Sequence, residues 1–213
     1  MISSVSALPI EILLLFFAIL LLSLSFHEAA HAWAADRLGD PTARQLGRLT
    51  MNPLVHLDLI GTVLFPLLLY WSGLPLFGWA KPVPVNAHNL RAPRRDFAMV
   101  ALAGPASNIV LATGASALLW LVFDSRGVPG ITSPDGFLTQ VVQLNLLLAV
   151  FNMIPVPPLD GGNVLAGFVP EPIARMIDLL RPWGFLILYA MLFTGVLWWI
   201  VDPVYSAFVE FFL

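Results

Sequence analysis

Apolar residues run almost without a break from Leu8 to Leu38, and between Ile10 and Ser25 the only charge is Glu11. Such a run predicts a helix of about 30 residues, or ~45 Å at 1.5 Å per residue, more than enough to cross a bilayer. Gly39, Asp40 and Pro41 end it. Asp96–Phe123, Phe137–Ile154 and Pro182–Val201 are three further apolar runs of spanning length. Leu59–Trp71 differs from these. At roughly 13 residues, with Pro66 at its centre and Asp58 and Ser72-Gly73 at its ends, it is too short for a straight crossing and predicts a re-entrant or interfacial hairpin. Pro82 and Pro84 alternate within Gly78–Asn86 and predict a short extended, β-like segment. In Glu171–Arg181, Ile173, Met176, Ile177 and Leu180 share one face, the pattern of a helix lying on a membrane surface, and Trp183, Trp198 and Trp199 fall where interface anchors belong.

The predicted fold is therefore an all-α polytopic membrane protein with about four full transmembrane helices and a re-entrant region. It forms a single membrane-embedded domain over residues 1–213: a first helix (8–38), a re-entrant and loop region (39–95), a second span (96–123), a third span with the motif that follows it (137–162), and a C-terminal amphipathic helix with a last span (163–213).

Composition agrees and narrows the function. Of 213 residues 59% are hydrophobic and 11% charged, with mean hydropathy +0.86, so the lipid bilayer is the solvent for most of the chain. Ten Lys and Arg in a chain of net charge −3 provide no basic stripe, which excludes nucleic-acid binding. The absence of cysteine excludes disulfides, thiolate ligands and cysteine nucleophiles, so any metal must be held by His and carboxylate. No Lys or Arg precedes the first apolar run and no small-residue cleavage site follows it, the pattern of a retained helix rather than a signal peptide.

Positive charge sets the expected orientation. If Leu59–Trp71 dips in and returns, Arg37, Arg44, Arg48, Lys81, Arg91, Arg94, Arg95, Arg175 and Arg181 share one side and only Arg126 faces the other, nine against one. If it spans, the split is four against six. The re-entrant topology satisfies the positive-inside rule, with the N-terminus outside.

The first helix carries His27-Glu28-Ala29-Ala30-His31 near its end. Its two imidazoles, at i and i+4, stack on one face, while the intervening carboxylate projects about 100° away from His27. In this HExxH arrangement the neutral imidazoles hold zinc and the glutamate accepts a proton from the attacking water. Ionisable groups inside an apolar helix are functional by default. A catalytic zinc needs a third protein ligand, for which the candidates are His56, Asp58, His88, Asp135, Asp160 and Asp178. Asp160 stands out. It follows the third span in NMIPVPPLDGG, where Pro155, Pro157 and Pro158 force an extended segment and Gly161 and Gly162 let backbone come close. The re-entrant topology brings it to the end of the membrane that holds His27 and His31; His56 is the reserve.

FHEAAH and NMIPVPPLDGG, with the AGPASN span (Ala103–Asn108) between them, resemble the site-2 protease family of intramembrane metalloproteases. The likeness covers about Ser23 to Gly162 and includes no PDZ or CBS module, so it resembles a minimal form. It implies that His27, His31 and Asp160 bind one zinc ion, that Glu28 is the catalytic base and that Asn152 assists. It also implies a transmembrane protein as substrate, and the plasma membrane of a prokaryote as location.

Asn152 has the chemistry to donate to an oxyanion, or to an interhelical hydrogen bond, since Asn145 lies seven residues before it on the same face. Asn108, among small residues, reads as helix packing. His56 and Asp58 suit either a gate or support for a zinc ligand, or an interfacial cap. Lys81, Val83 and Val85 keep the N–H groups that Pro82 and Pro84 lack, so this segment can add as a strand to an unwound substrate or serve as a rigid loop. A metal-ion transporter and a catalytically silent membrane scaffold are the rival functions. The transporter calls for polar residues along a whole path, and the scaffold has no need of Glu28 and Asp160 beside two histidines.

Overall fold

The structure, a computed structural model, describes residues 10–72, 78–123 and 132–213. Arg126, the one cation expected outside, lies beyond the described residues, as does the start of the first helix at Leu8.

Helix α1 (Ile10–Leu38) ends where Gly39 adopts a positive φ of 115°, and short α2 (Thr42–Gln45) and α3 (Pro53–His56) follow. Asp40 fastens this corner. Wholly buried, it accepts from the backbone N–H groups of Thr42 and Asn86 and from the side chains of Thr42 and Asn89. Burial alone would raise its pKa, but these bonds outweigh it and hold the carboxyl below its ordinary value.

Leu59–Leu64 form a π-helical stretch capped by Asp58, whose carboxylate accepts from the N–H groups of Ile60 and Gly61, and it runs directly into α4 (Phe65–Trp71). Pro66 has no N–H to offer the carbonyl four residues back, and the ladder loosens into the wider helix at that place. By Trp79 the chain is again beside Gly61, whose carbonyl accepts from the Trp79 N–H at 3.1 Å. Residues 79–81 thus lie beside the start of the Leu59–Trp71 run rather than beyond its far end. Alternate N–H groups of the returning segment point back into the chain: Trp79 to Gly61, Lys81 to the His56 carbonyl at 2.9 Å, and Val83 to Glu28. This every-second-residue pattern is that of an extended backbone. The segment pairs with no strand, and among the described residues no strand is present.

A 3₁₀ turn (Ala87–Asn89) leads into α5 (Pro93–Phe123), the central helix, which packs against α1, α6 (Pro134–Asn152) and α7 (Asp160–Phe168). Ala98, Ala101, Gly104, Pro105, Asn108, Ala112 and Ala115 recur at helical spacing along it, all buried, and these small side chains let three neighbours close on one helix. Arg94, at its start, donates to the carbonyls of Ala166 and Val169 and to Glu171, tying down the end of α7.

Helix α8 (Glu171–Leu180) matches the expected amphipathic helix; of its predicted apolar face only Ile177 is buried within the chain, while Ile173, Met176 and Leu180 are exposed. The expected last span, Pro182–Val201, is divided. Gly195 takes the left-handed conformation at φ 77° and separates α9 (Gly184–Thr194) from α10 (Val196–Phe212), a chain reversal glycine adopts without steric cost. Leu197 and Val201 of α10 pack with Ile154 and Leu159, whereas Val209 and Phe212 pack near Ala112 and Val142, so α10 lies antiparallel along α6. Four helical stretches are long and apolar enough to cross a membrane: α1, α5, α6 and the path Glu171–Thr194. The protein is an all-α, multi-pass membrane protein.

Candidate metal centre

His27 and His31 occupy successive turns of α1, and their rings meet edge to face with centroids 4.6 Å apart. Asp160, the first residue of α7, reaches both: its Oδ2 lies 3.0 Å from Nε2 of His27 and 3.3 Å from Nε2 of His31. One ligand atom from each of the three falls within 4.8 Å of the others, a grouping that could hold a metal ion. The proline-rich connection after α6 delivers the carboxylate, and Gly161 makes this possible, since a Cβ there would overlap the Met153 carbonyl.

Two features fit a metal. Nδ1 of His31 lies 2.7 Å from the Val100 carbonyl, which can only accept, so Nδ1 carries a proton and Nε2, turned to Asp160, is the nitrogen available to a metal. Opposite the imidazoles stands Gly104 of α5, where a methyl group would overlap Nε2 of both histidines; the space beside these atoms is kept clear by the lack of a side chain. Two imidazoles and one carboxylate form a donor set suited to a catalytic zinc.

Glu28 sits between the histidines in sequence and points elsewhere, its Oε2 accepting the Val83 N–H at 2.8 Å. The extended segment thus touches the carboxylate directly, while Arg48 holds the far side of that segment by donating to the Lys81 carbonyl at 2.6 Å. Val85 packs against Ala34, Ala35 and Val100.

His56 and Asp58 do not join the metal-holding group. His56 is buried with Nε2 2.9 Å from the Thr50 carbonyl, and Asp58 caps the π-helical stretch. His56 reaches the site region only through its backbone carbonyl, which fixes Lys81. Asn152 donates to the Leu148 carbonyl of its own helix at 2.9 Å. Asn108 is the residue sequence reasoning undervalued: wholly buried, its Oδ1 lies 2.6 Å from Nδ1 of His27. Its spacing held the signal, since Asn108 falls one turn beyond Gly104 on the same face of α5.

Comparison with family models gives no match, and no solved structure matches the chain. Curated relatives do. The chain is 36% identical over 192 residues, 88% of its own length and 84% of the relative's, to a Bacillus subtilis protein named "Putative zinc metalloprotease YwhC". It is 35% identical over 193 residues to "Putative zinc metalloprotease Rip2" of Mycolicibacterium smegmatis, covering 88% of this chain and 70% of the relative. The Mycobacterium tuberculosis protein of the same name is 29% identical over 191 residues, 85% and 71% of the two chains. Similarity of this extent to zinc metalloproteases, on a chain whose first helix and DG-containing turn bring two imidazoles and a carboxylate together, shows that it belongs to the site-2 protease family of zinc metalloproteases.

Proposed function

We propose that the protein is an endopeptidase that cleaves the transmembrane segments of other membrane proteins within the bilayer, as a step of regulated intramembrane proteolysis. The observation that carries this reading is the convergence of His27, His31 and Asp160 on an apolar helix, about 13 Å before its end. In this reading those three residues hold one zinc ion. Held there, zinc would supply a Lewis acid for the scissile carbonyl and would make a nearby water more acidic. Glu28 takes the proton from that water and passes it to the leaving amine. The Asn152 amide, on leaving the Leu148 carbonyl, donates to the oxyanion.

The test is cleavage of a single-span substrate reconstituted with the protein in lipid vesicles, with the products mapped by mass spectrometry. The cut is expected inside the transmembrane segment, to cease on chelation and to return with zinc. Cutting confined to a soluble loop would overturn the intramembrane assignment.

The orientation proposed is N-terminus outside, with the metal centre towards the cytoplasmic face of a prokaryotic plasma membrane. A cysteine introduced at Asn86 is expected to label from the cytoplasmic side, and one at Ser125 from the outside. The reverse pattern would place the nine clustered cations outside and overturn it.

Lys81, Val83 and Val85 are proposed to present the edge that holds substrate extended. A helical substrate locks its scissile carbonyl in an i to i−4 bond and must unwind before it is cut. The Lys81 N–H is on the His56 carbonyl and the Val83 N–H on Glu28, so pairing through either requires that bond to exchange for one with substrate. Val83→Pro removes the donor in either state; kcat/KM is expected to fall by roughly one to two decades, the equivalent of about 1–3 kcal/mol for one such bond, with zinc content unchanged. Val83→Ala keeps the donor and should lose much less. Equal loss in both variants, or loss in neither, would remove the segment from substrate binding.

A further inference from the structure

A chain of buried amides leads away from His27. Asn108 of α5 places Nδ2 2.8 Å from Oδ1 of Asn145 on α6, and Nδ2 of Asn145 lies 2.8 Å from the Val141 carbonyl and 2.9 Å from Oγ of Ser23 on α1. Asn108 and Asn145 are both wholly buried, and Ser23 is 3% exposed.

The hydrogen-bond polarity of this chain is fixed at one end. The Val141 carbonyl can only accept, so the group that Asn145 turns towards it is the NH₂, and its Oδ1 faces Asn108. That oxygen likewise only accepts, so Asn108 turns its NH₂ to Asn145 and its Oδ1 to His27. His27 must then donate through Nδ1–H, which leaves Nε2, the nitrogen turned to Asp160, as the one available to a metal. A backbone carbonyl on α6 thereby selects the imidazole tautomer on α1, two side chains away.

We propose that Asn108 is a positioning residue for the metal centre, holding His27 in the tautomer and ring plane that ligation through Nε2 requires, and that Asn145 acts through it by fixing the orientation of its amide. This rests on the assignment of His27, His31 and Asp160 as the zinc-holding residues. A packing role predicts something different, because Leu matches Asn in branching and in number of side-chain heavy atoms and carries no polar atom into the apolar surroundings.

The experiment is zinc affinity of the full-length protein in detergent, measured by competition with a chromophoric chelator, together with the visible spectrum of the cobalt-substituted form. Asn108→Leu removes the acceptor and should weaken zinc binding by about 10- to 100-fold and alter the cobalt spectrum. Asn108→Asp keeps an acceptor for His27 Nδ1–H and, with its other oxygen protonated, a donor for Asn145 Oδ1, and should retain wild-type affinity within a few fold. Asn145→Leu, which frees the Asn108 amide to turn, should weaken zinc several fold without touching His27. Wild-type affinity in Asn108→Leu, or equal loss in the Asp and Leu variants, would overturn the proposal. Should the variants not fold, NMR of labelled histidine in the zinc-loaded wild-type protein decides: the proposal requires His27 protonated at Nδ1, and protonation at Nε2 overturns it. Failure of the underlying ligand assignment looks different, since the wild-type protein would then keep its zinc when Asp160 is replaced.

Discussion

Glu28→Gln is expected to retain one zinc ion per chain while kcat/KM falls by about two to four decades, the contribution usual for a positioned general base. Gln is nearly isosteric and keeps an oxygen that can accept the Val83 N–H, so the extended segment stays where it is. What it lacks is the ability to take a proton at neutral pH. Metal analysis and turnover on the same preparation form the test, and loss of zinc alongside activity would make Glu28 a ligand rather than a base. Substantial turnover by the Gln variant would remove it from proton transfer altogether.

Asp160→Ala is expected to abolish both activity and stoichiometric zinc. Two histidines remain, and two imidazoles on one helix cannot complete the coordination a catalytic zinc requires. The partly buried Asp160 carboxylate is also what the two Nε2 atoms meet at 3.0 and 3.3 Å, so its removal takes away the partner they share. Asp160→Asn is the more delicate companion: it keeps an oxygen for the imidazoles but loses the charge, and should weaken zinc rather than eliminate it. Full zinc occupancy in the Ala variant would overturn the assignment of Asp160 and return the search for a third ligand to His56.

Those features of the centre that depend on local spacing are legible in the sequence. The i, i+4 histidines need only helical periodicity to be placed side by side, and Asp160 is marked by the prolines before it and the glycines after it. The expectation of a re-entrant course for Leu59–Trp71 draws instead on the distribution of Arg and Lys, a property of the whole chain. Contacts that join distant positions are harder to read. Val83 meets Glu28 across 55 residues and Asn108 meets His27 across 81, and no periodicity encodes either. Asn108 in particular sits in a stripe of alanines and glycine whose evident purpose is close packing, which hides a polar contact among apolar ones. The break at Gly195 is obscure for another reason: within an apolar run a glycine is compatible with a continuous membrane helix, and only its positive φ distinguishes a turn.

Gly104 bears on how the enzyme can be inhibited. The surface that faces the two imidazoles there is peptide backbone of α5, with no room for even a methyl group. A zinc-chelating compound therefore finds nothing on that flank to fill and no side chain to recognise, whereas residues 78–86 adjoin Glu28 through the Val83 amide. That segment carries the Val83 amide, which donates to Glu28, and the Trp79 ring, tilted against Phe65 at 5.3 Å and Phe185 at 5.7 Å. Selectivity between this enzyme and other zinc peptidases is thus to be sought in a hydrogen-bond acceptor matched to that amide and an aromatic group matched to that cluster, rather than in a stronger chelator.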